Sequence, residues 1–335
     1  MNASENVSMY ADDYDFCNLD PEFPDGSVIL VLHYVLFCFG LLGNSMVLWV
    51  LLQHIKVKSM TDVCLLNLAL SDLLLAVSLP FWAYGSKNLP SCKLITGIYQ
   101  LGFYSGTLFV TLMSLDRYLA IVHAVTAMRT RTLRYGITAS VIIWGVSVVM
   151  ATPPVIFASL EGDEEDSGLQ CQPKYPPGSE EVWKMQKNFS ENTTGLFLCL
   201  PVMIFCYMKI LVVLSRARNS KKNKAMKLIF AIVCVFVVCW VPYNVLVLIQ
   251  TLQLFDIMNT CTASAPINTA MSFAEIIALS HCCINPVIYA FVGEKFRKSL
   301  SGVMGRYLCF RYQSTSTVRE TTEGETSNTP VRSDY

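Results

Sequence analysis

Asp116 and Arg117 are opposite charges side by side, and they close an apolar run that begins near Leu94. An unpaired arginine at mid-bilayer costs about 2.5–3.5 kcal/mol on insertion scales, so the pair belongs at a membrane edge or facing a protein cavity. What it offers there is ion pairing and charge release rather than bond making. Glu275 is a carboxylate alone in another apolar run and suits a cationic group. Asn44 and Asp72 are polar groups near the middle of theirs; such groups usually face a bundle interior and hydrogen-bond across helices. Catalysis has little support. The sequence has no Gly-rich phosphate loop, nucleophile elbow or carboxylate pair. His33, His54, His123 and His281 form no metal cluster, and Cys282-Cys283 lacks metal-ligand spacing. No enzyme activity, cofactor, metal or nucleic-acid partner is expected.

Membrane helices must position these groups. The 335 residues are 53% hydrophobic and 15% charged, with mean hydropathy +0.45; a soluble chain carries about 25% charge. Apolar runs long enough to span a bilayer recur at 28–53, 61–85, 93–124, 135–158, 195–215, 226–253 and 264–292. From Cys92 to Arg117 a helix covers about 37 Å, more than the roughly 30 Å hydrocarbon core, so these two residues lie at opposite faces. Residues 1–27 are acidic without a basic start, so no cleavable signal peptide is expected and the first span acts as its own insertion signal. Lys56, Lys58, Arg129, Arg131, Arg134 and the basic run from Arg216 to Lys227 mark one side as cytoplasmic, which places the N-terminus outside.

The outer side is acidic. Its tail has no Lys or Arg, and its loops add Glu161, Asp163 to Asp166, Glu180, Glu181, Glu191 and Asp256. A field of that sign attracts a basic partner and raises its encounter rate. Asn2, Asn6, Asn188 and Asn192 begin Asn-x-Ser/Thr triplets on this side and are candidate glycosylation sites. Of 13 cysteines, Cys17, Cys92, Cys171 and Cys261 are outside; four allow three pairings, and the oxidising side favours bridges.

The string Asp116-Arg117-Tyr118-Leu-Ala-Ile-Val-His-Ala resembles the end of the third helix of rhodopsin-like G-protein-coupled receptors, and in its full length that of chemokine receptors. Ser78-x-Pro80 is similar to the Thr-x-Pro motif of the second helix. Cys239-Trp240-x-Pro242 resembles the signature of the sixth helix, and Asn285-Pro286-x-x-Tyr289 that of the seventh. The resemblance runs from about residue 10 to residue 310 and implies an all-α integral membrane protein of four parts. These are an extracellular acidic tail (1–27), a seven-transmembrane helix bundle (28–293), an amphipathic membrane-surface helix (294–309) and a cytoplasmic Ser/Thr-rich tail (310–335).

By the same resemblance, Tyr10, Asp12, Asp13, Tyr14 and Asp15 form a ligand-binding tail with sulfated tyrosines, and Trp82, Tyr99, Tyr243 and Glu275 line a pocket. Asn44, Asp72, Asp116, Arg117, Tyr118, Trp240, Pro242, Asn285, Pro286 and Tyr289 form the activation switch. Cys92–Cys171 and Cys17–Cys261 are the implied disulfides, and Cys309 a palmitoylation site. The implied partners are a basic chemokine, probed most naturally in the CC class, a heterotrimeric G protein of the inhibitory class, and a receptor kinase and arrestin at the tail. The implied output is leukocyte chemotaxis and calcium signalling from the plasma membrane.

Departures from the pattern are informative. Tyr99 stands where amine receptors resembling this family place an Asp, which argues against a biogenic amine. Gly102 and Gly106 supply no side-chain oxygen to Asp72, which argues against a sodium site. Lys222 occupies the usual acidic position on the sixth helix, so no Arg–Glu lock reaches Arg117 from there. Pro201 precedes Tyr207 by six positions, fewer than usual, which leaves the fifth-helix register open. The alternatives are a receptor for another peptide and an atypical chemokine-scavenging receptor; the intact Asp-Arg-Tyr argues against the latter. A transporter is disfavoured because no internal repeat is present.

Overall fold

The computed structural model describes residues 26–84, 88–123, 125, 127, 132–161, 170–216, 220–255, 257, 261–292, 296–299 and 301–302. Among these residues, seven helices are long and apolar enough to cross a membrane. They are α1 (Gly26–Val50, prolonged by a π turn at Leu51–Ile55), α2 (Met60–Tyr84), α3 (Leu89–Val122), α4 (Leu133–Phe157), the joined pair α5 (Glu180–Asn192) and α6 (Leu200–Arg216), α7 (Ser220–Gln253) and α8 (Cys261–Val292).

In lipid every backbone N–H and C=O must be satisfied within the chain, and a helix does this segment by segment. The side chains then sort with polar groups inward. Leu42, Val141 and Val149 are exposed on the lipid face, whereas Asn44, Asp72 and Asp116 are fully buried. Polar caps mark the ends: Asn88 Oδ1 accepts from the Ser91 amide at 2.9 Å to start α3, with Pro90 in its first turn. Helix α3 runs through the bundle, packing on α2, α4 and α6. Gly102 permits the closest of these approaches, since a Cβ there would lie 2.9 Å from both Leu75 Cγ and the Ser71 carbonyl.

The fifth span differs from its expected limits of 195–215. The helix starts at Glu180, and polar residues Glu180 to Asn192 are its first turns rather than a loop. Between α5 and α6 the backbone widens to a π-helix, Thr193–Cys199, just before Pro201. Pro201 has no N–H for the carbonyl four residues back, and a π segment shifts the register of what precedes it. Gly195 in this segment lets α7 come close, because a Cβ would meet the Asn244 amide. The expected inner loop 215–227 is also mostly helix, since α7 begins at Ser220.

Between α4 and α5, β1 (Ala158–Glu161) and β2 (Gln170–Pro173) form an antiparallel hairpin with Leu160 opposite Cys171. The Cys92–Cys171 disulfide, with Cα atoms 5.4 Å apart, staples β2 to the N-terminal end of α3. At the other end Phe296, in the short helix 296–299, is buried against the core.

Candidate functional site

A cavity of about 250 Å³ lies under the hairpin. Tyr99 of α3, Glu191 of α5, Tyr243 of α7 and Glu275 of α8 converge on it, together with Cys171 of β2. The Tyr99 hydroxyl donates to Glu275 Oε1 at 3.4 Å, and the Tyr243 hydroxyl to Glu191 Oε2 at 3.1 Å. Lys187 Nζ lies 3.3 Å from Glu191 Oε1, one helical turn away. The cavity therefore offers carboxylates held in place by phenols, an arrangement that binds cations. Burial at the rim raises the Tyr175 phenol above its ordinary value, with Lys187 opposing that rise, so the hydroxyl stays neutral.

Three of the four expected pocket residues, Tyr99, Tyr243 and Glu275, are thus brought together. The fourth, Trp82, has its backbone in α2 and its side chain outside the described residues. Glu191 corrects the sequence reading, which placed it in an outer loop: it is 2% exposed inside the bundle. Asn192 is corrected with it. Its side chain is 1% exposed, which leaves no room for a glycan on the folded chain. Asn188 lines this cavity and a neighbouring one of about 420 Å³. Tyr10, Asp12, Asp13, Tyr14, Asp15, Asn2, Asn6, Cys17 and Cys309 lie outside the described residues, as do the side chains of Cys261 and Lys222.

Below the cavity, Trp240 is 2% exposed and its ring packs against Phe103 at 4.8 Å and His281 at 5.1 Å. Pro242 lies inside α7 two residues further on. Deeper still, Asn285 Nδ2 donates to Asp72 Oδ2 at 2.8 Å, and His281 Nε2 lies 3.2 Å from Asp72 Oδ1. Oδ2 therefore accepts a hydrogen bond, whereas Oδ1 has no hydrogen-bond partner among the described residues and has the imidazole beside it at ion-pair distance. Asn44 Nδ2 donates to the Cys282 carbonyl at 2.8 Å, tying α1 to α8 beside Pro286 and Tyr289.

At the far end of α3, Thr61 of α2 joins the charged pair. Its hydroxyl donates to Asp116 Oδ2 at 2.7 Å and accepts from Arg117 Nη2 at 2.6 Å, while Arg117 Nε is 3.7 Å from Asp116 Oδ2. Tyr118 turns aside to His123 Nε2, 3.0 Å away. Thr61, His281, Lys187 and Glu191 are the members that sequence reasoning missed. The i,i+4 spacing of Lys187 and Glu191 was the one available signal, because it marks a helix face rather than a loop.

Residues 43–289 match the family described as "7 transmembrane receptor (rhodopsin family)". Human C-C chemokine receptor type 4 is 45% identical over 272 residues, covering 80% of this chain and 75% of that receptor. Bovine CX3C chemokine receptor 1 is 42% identical over 303 residues, covering 89% of this chain and 83% of that one. Such identity over most of both chains leaves one family in which the disulfide-capped cavity and the buried charged end of α3 have their place: this chain belongs to the rhodopsin family of seven-transmembrane receptors, among the chemokine receptors.

Proposed function

We propose that the protein is a cell-surface receptor for a basic chemokine of the CC class, with its N-terminus outside, and that it activates an inhibitory-class G protein. Tyr10, Asp12, Asp13, Tyr14 and Asp15, with sulfated tyrosines and glycans at Asn2 and Asn6, attract the ligand. A Cys17–Cys261 bridge holds this tail over the bundle mouth. The ligand's flexible end then enters the cavity and pairs a cationic group with Glu275. Chemotaxis and calcium signalling follow from the G protein. Phosphorylation of tail residues such as Ser314, Thr315 and Thr321 builds an anionic patch for arrestin, and Cys309 carries a lipid.

The observation that carries this reading is the carboxylate of Glu275, held by Tyr99 in a cavity beneath a disulfide-pinned hairpin. Ligand binding moves the equilibrium only through better contacts in one state. Trp240, packed between Phe103 and His281, links the cavity to Asp72 and Asn285. Asp116 and Thr61 hold Arg117 at rest, and its release presents a cation to the G protein. Screening a chemokine panel for G-protein activation in cells expressing the chain tests the reading. A basic chemokine should activate it in a pertussis-toxin-sensitive manner; silence to the whole panel overturns it.

A further inference from the structure

Glu191 gives the cavity a second carboxylate that a single ligand cation at Glu275 does not use. Among the described lining residues are two acids, Glu191 and Glu275, and one base, Lys187. Gln100, 4% exposed, also lines the cavity, and its Oε1 has no hydrogen-bond partner among the described residues. The wall is therefore rich in acceptors, and its cation is already committed to Glu191 at 3.3 Å. Lys187 also lines a neighbouring cavity of about 420 Å³, nearer the outer end of α5, together with Glu181 and Lys184. A lysine ammonium rides on a flexible four-carbon stem. It can leave Glu191 by rotating into that neighbouring space, where Glu181 supplies another carboxylate.

We propose that the pocket reads two cationic groups on the inserted end of the ligand, one at Glu275 and one at Glu191. Lys187 is the internal placeholder that the second group displaces. This rests on the receptor reading above and adds the charge pattern of the ligand's end. A buried pair that loses one partner leaves an uncompensated charge, so Lys187 leaves Glu191 only as another cation arrives. A ligand with a single cation binds Glu275 and leaves the Lys187–Glu191 pair closed. Displacing the placeholder lowers the apparent affinity for every doubly charged ligand, in the way an unfavourable pre-equilibrium does.

The test uses the full-length receptor in nanodiscs and two fluorescent peptide amides. Each has a free α-ammonium, and they differ only in an arginine or a neutral citrulline nearby. Anisotropy should show the wild type favouring the arginine peptide by about ten-fold. In Glu191→Gln that ratio should fall below about two-fold, and in Lys187→Met it should rise, since no placeholder competes. The double variant Lys187→Met/Glu191→Gln removes both charges together, avoids an unpaired buried ion, and should also lose the preference. Equal binding of the two peptides by the wild type, or a preference that survives Glu191→Gln and the double variant, overturns the proposal. Binding of neither peptide also overturns it, while the chemokine panel separately decides the receptor reading.

Discussion

The two ends of the bundle both hold charged groups, but they are built differently. At the cavity under the hairpin the carboxylates of Glu191 and Glu275 face a hollow and are steadied by the hydroxyls of Tyr243 and Tyr99. At the C-terminal end of α3, Asp116 is completely buried and its partners Arg117 and Thr61 close around it. A carboxylate held by a phenol, as Glu275 is, is available to an incoming cation, whereas a closed pair, Asp116 with Arg117 or Glu191 with Lys187, resists change until something else moves. On the proposed reading the first end binds and the second switches, and the layer between them, from Trp240 through His281 to Asp72, is the contact path that joins the two.

The sharpest way to break this division is at Arg117. Arg117→Ala should lower ligand-stimulated nucleotide exchange by about 100-fold, with surface expression and ligand affinity nearly unchanged. Normal exchange from a well-expressed variant would show that this end of α3 is not the switch. Glu275→Gln addresses the other end. It removes a charge-assisted contact worth about 1.5–3 kcal/mol, so the concentration of ligand needed for half-maximal signalling should rise about ten-fold or more, while tail-dependent binding falls less. A variant with wild-type potency would remove Glu275 from the ligand site.

A smaller effect is expected from the tail. Replacing Tyr10, Tyr14 and the neighbouring acids should slow association a few-fold and flatten its salt dependence, because exposed charges are screened within about 8 Å at physiological salt. An unchanged salt slope would mean that the outer field does not steer the ligand. The smallest effect belongs to the middle layer. With Asn285 on one oxygen of Asp72, the His281 ring crowding the other, and Gly102 and Gly106 supplying no side-chain oxygen, exchanging sodium for potassium chloride should alter wild-type ligand affinity by less than about two-fold. His281→Gln should make affinity sodium-sensitive; strong sodium sensitivity in the wild type would show that a cation competes successfully with the imidazole.

These expectations differ in how far they were visible before the fold. The seven spans were legible because hydrophobic length is a local property that the bilayer reads directly. Arg117 and Cys92 were placed at opposite ends of α3 by counting alone, since the rise per residue of a helix is constant. Glu191 was not legible. Hydropathy scores the cost of exposing a residue to lipid, but a carboxylate facing a protein cavity beside Lys187 does not meet lipid. The polar first turns of the fifth span therefore looked like loop, and Asn192 looked like a surface glycan site until its burial placed it inside.

From the sequence alone came the membrane class, the order of the spans, the family motifs and the charge asymmetry of the two sides, all properties of composition and spacing along one chain. The tertiary structure alone decided which groups share a site. Tyr99 and Glu275 are 176 positions apart, yet the packing of α3 and α8 brings them within hydrogen-bonding distance. Thr61 reaches Asp116 and Arg117 through the packing of α2 on α3. His281 reaches Asp72 through the packing of α8 on α2. Such pairings depend on crossing angles and small residues at helix contacts, and no window along the sequence contains both partners.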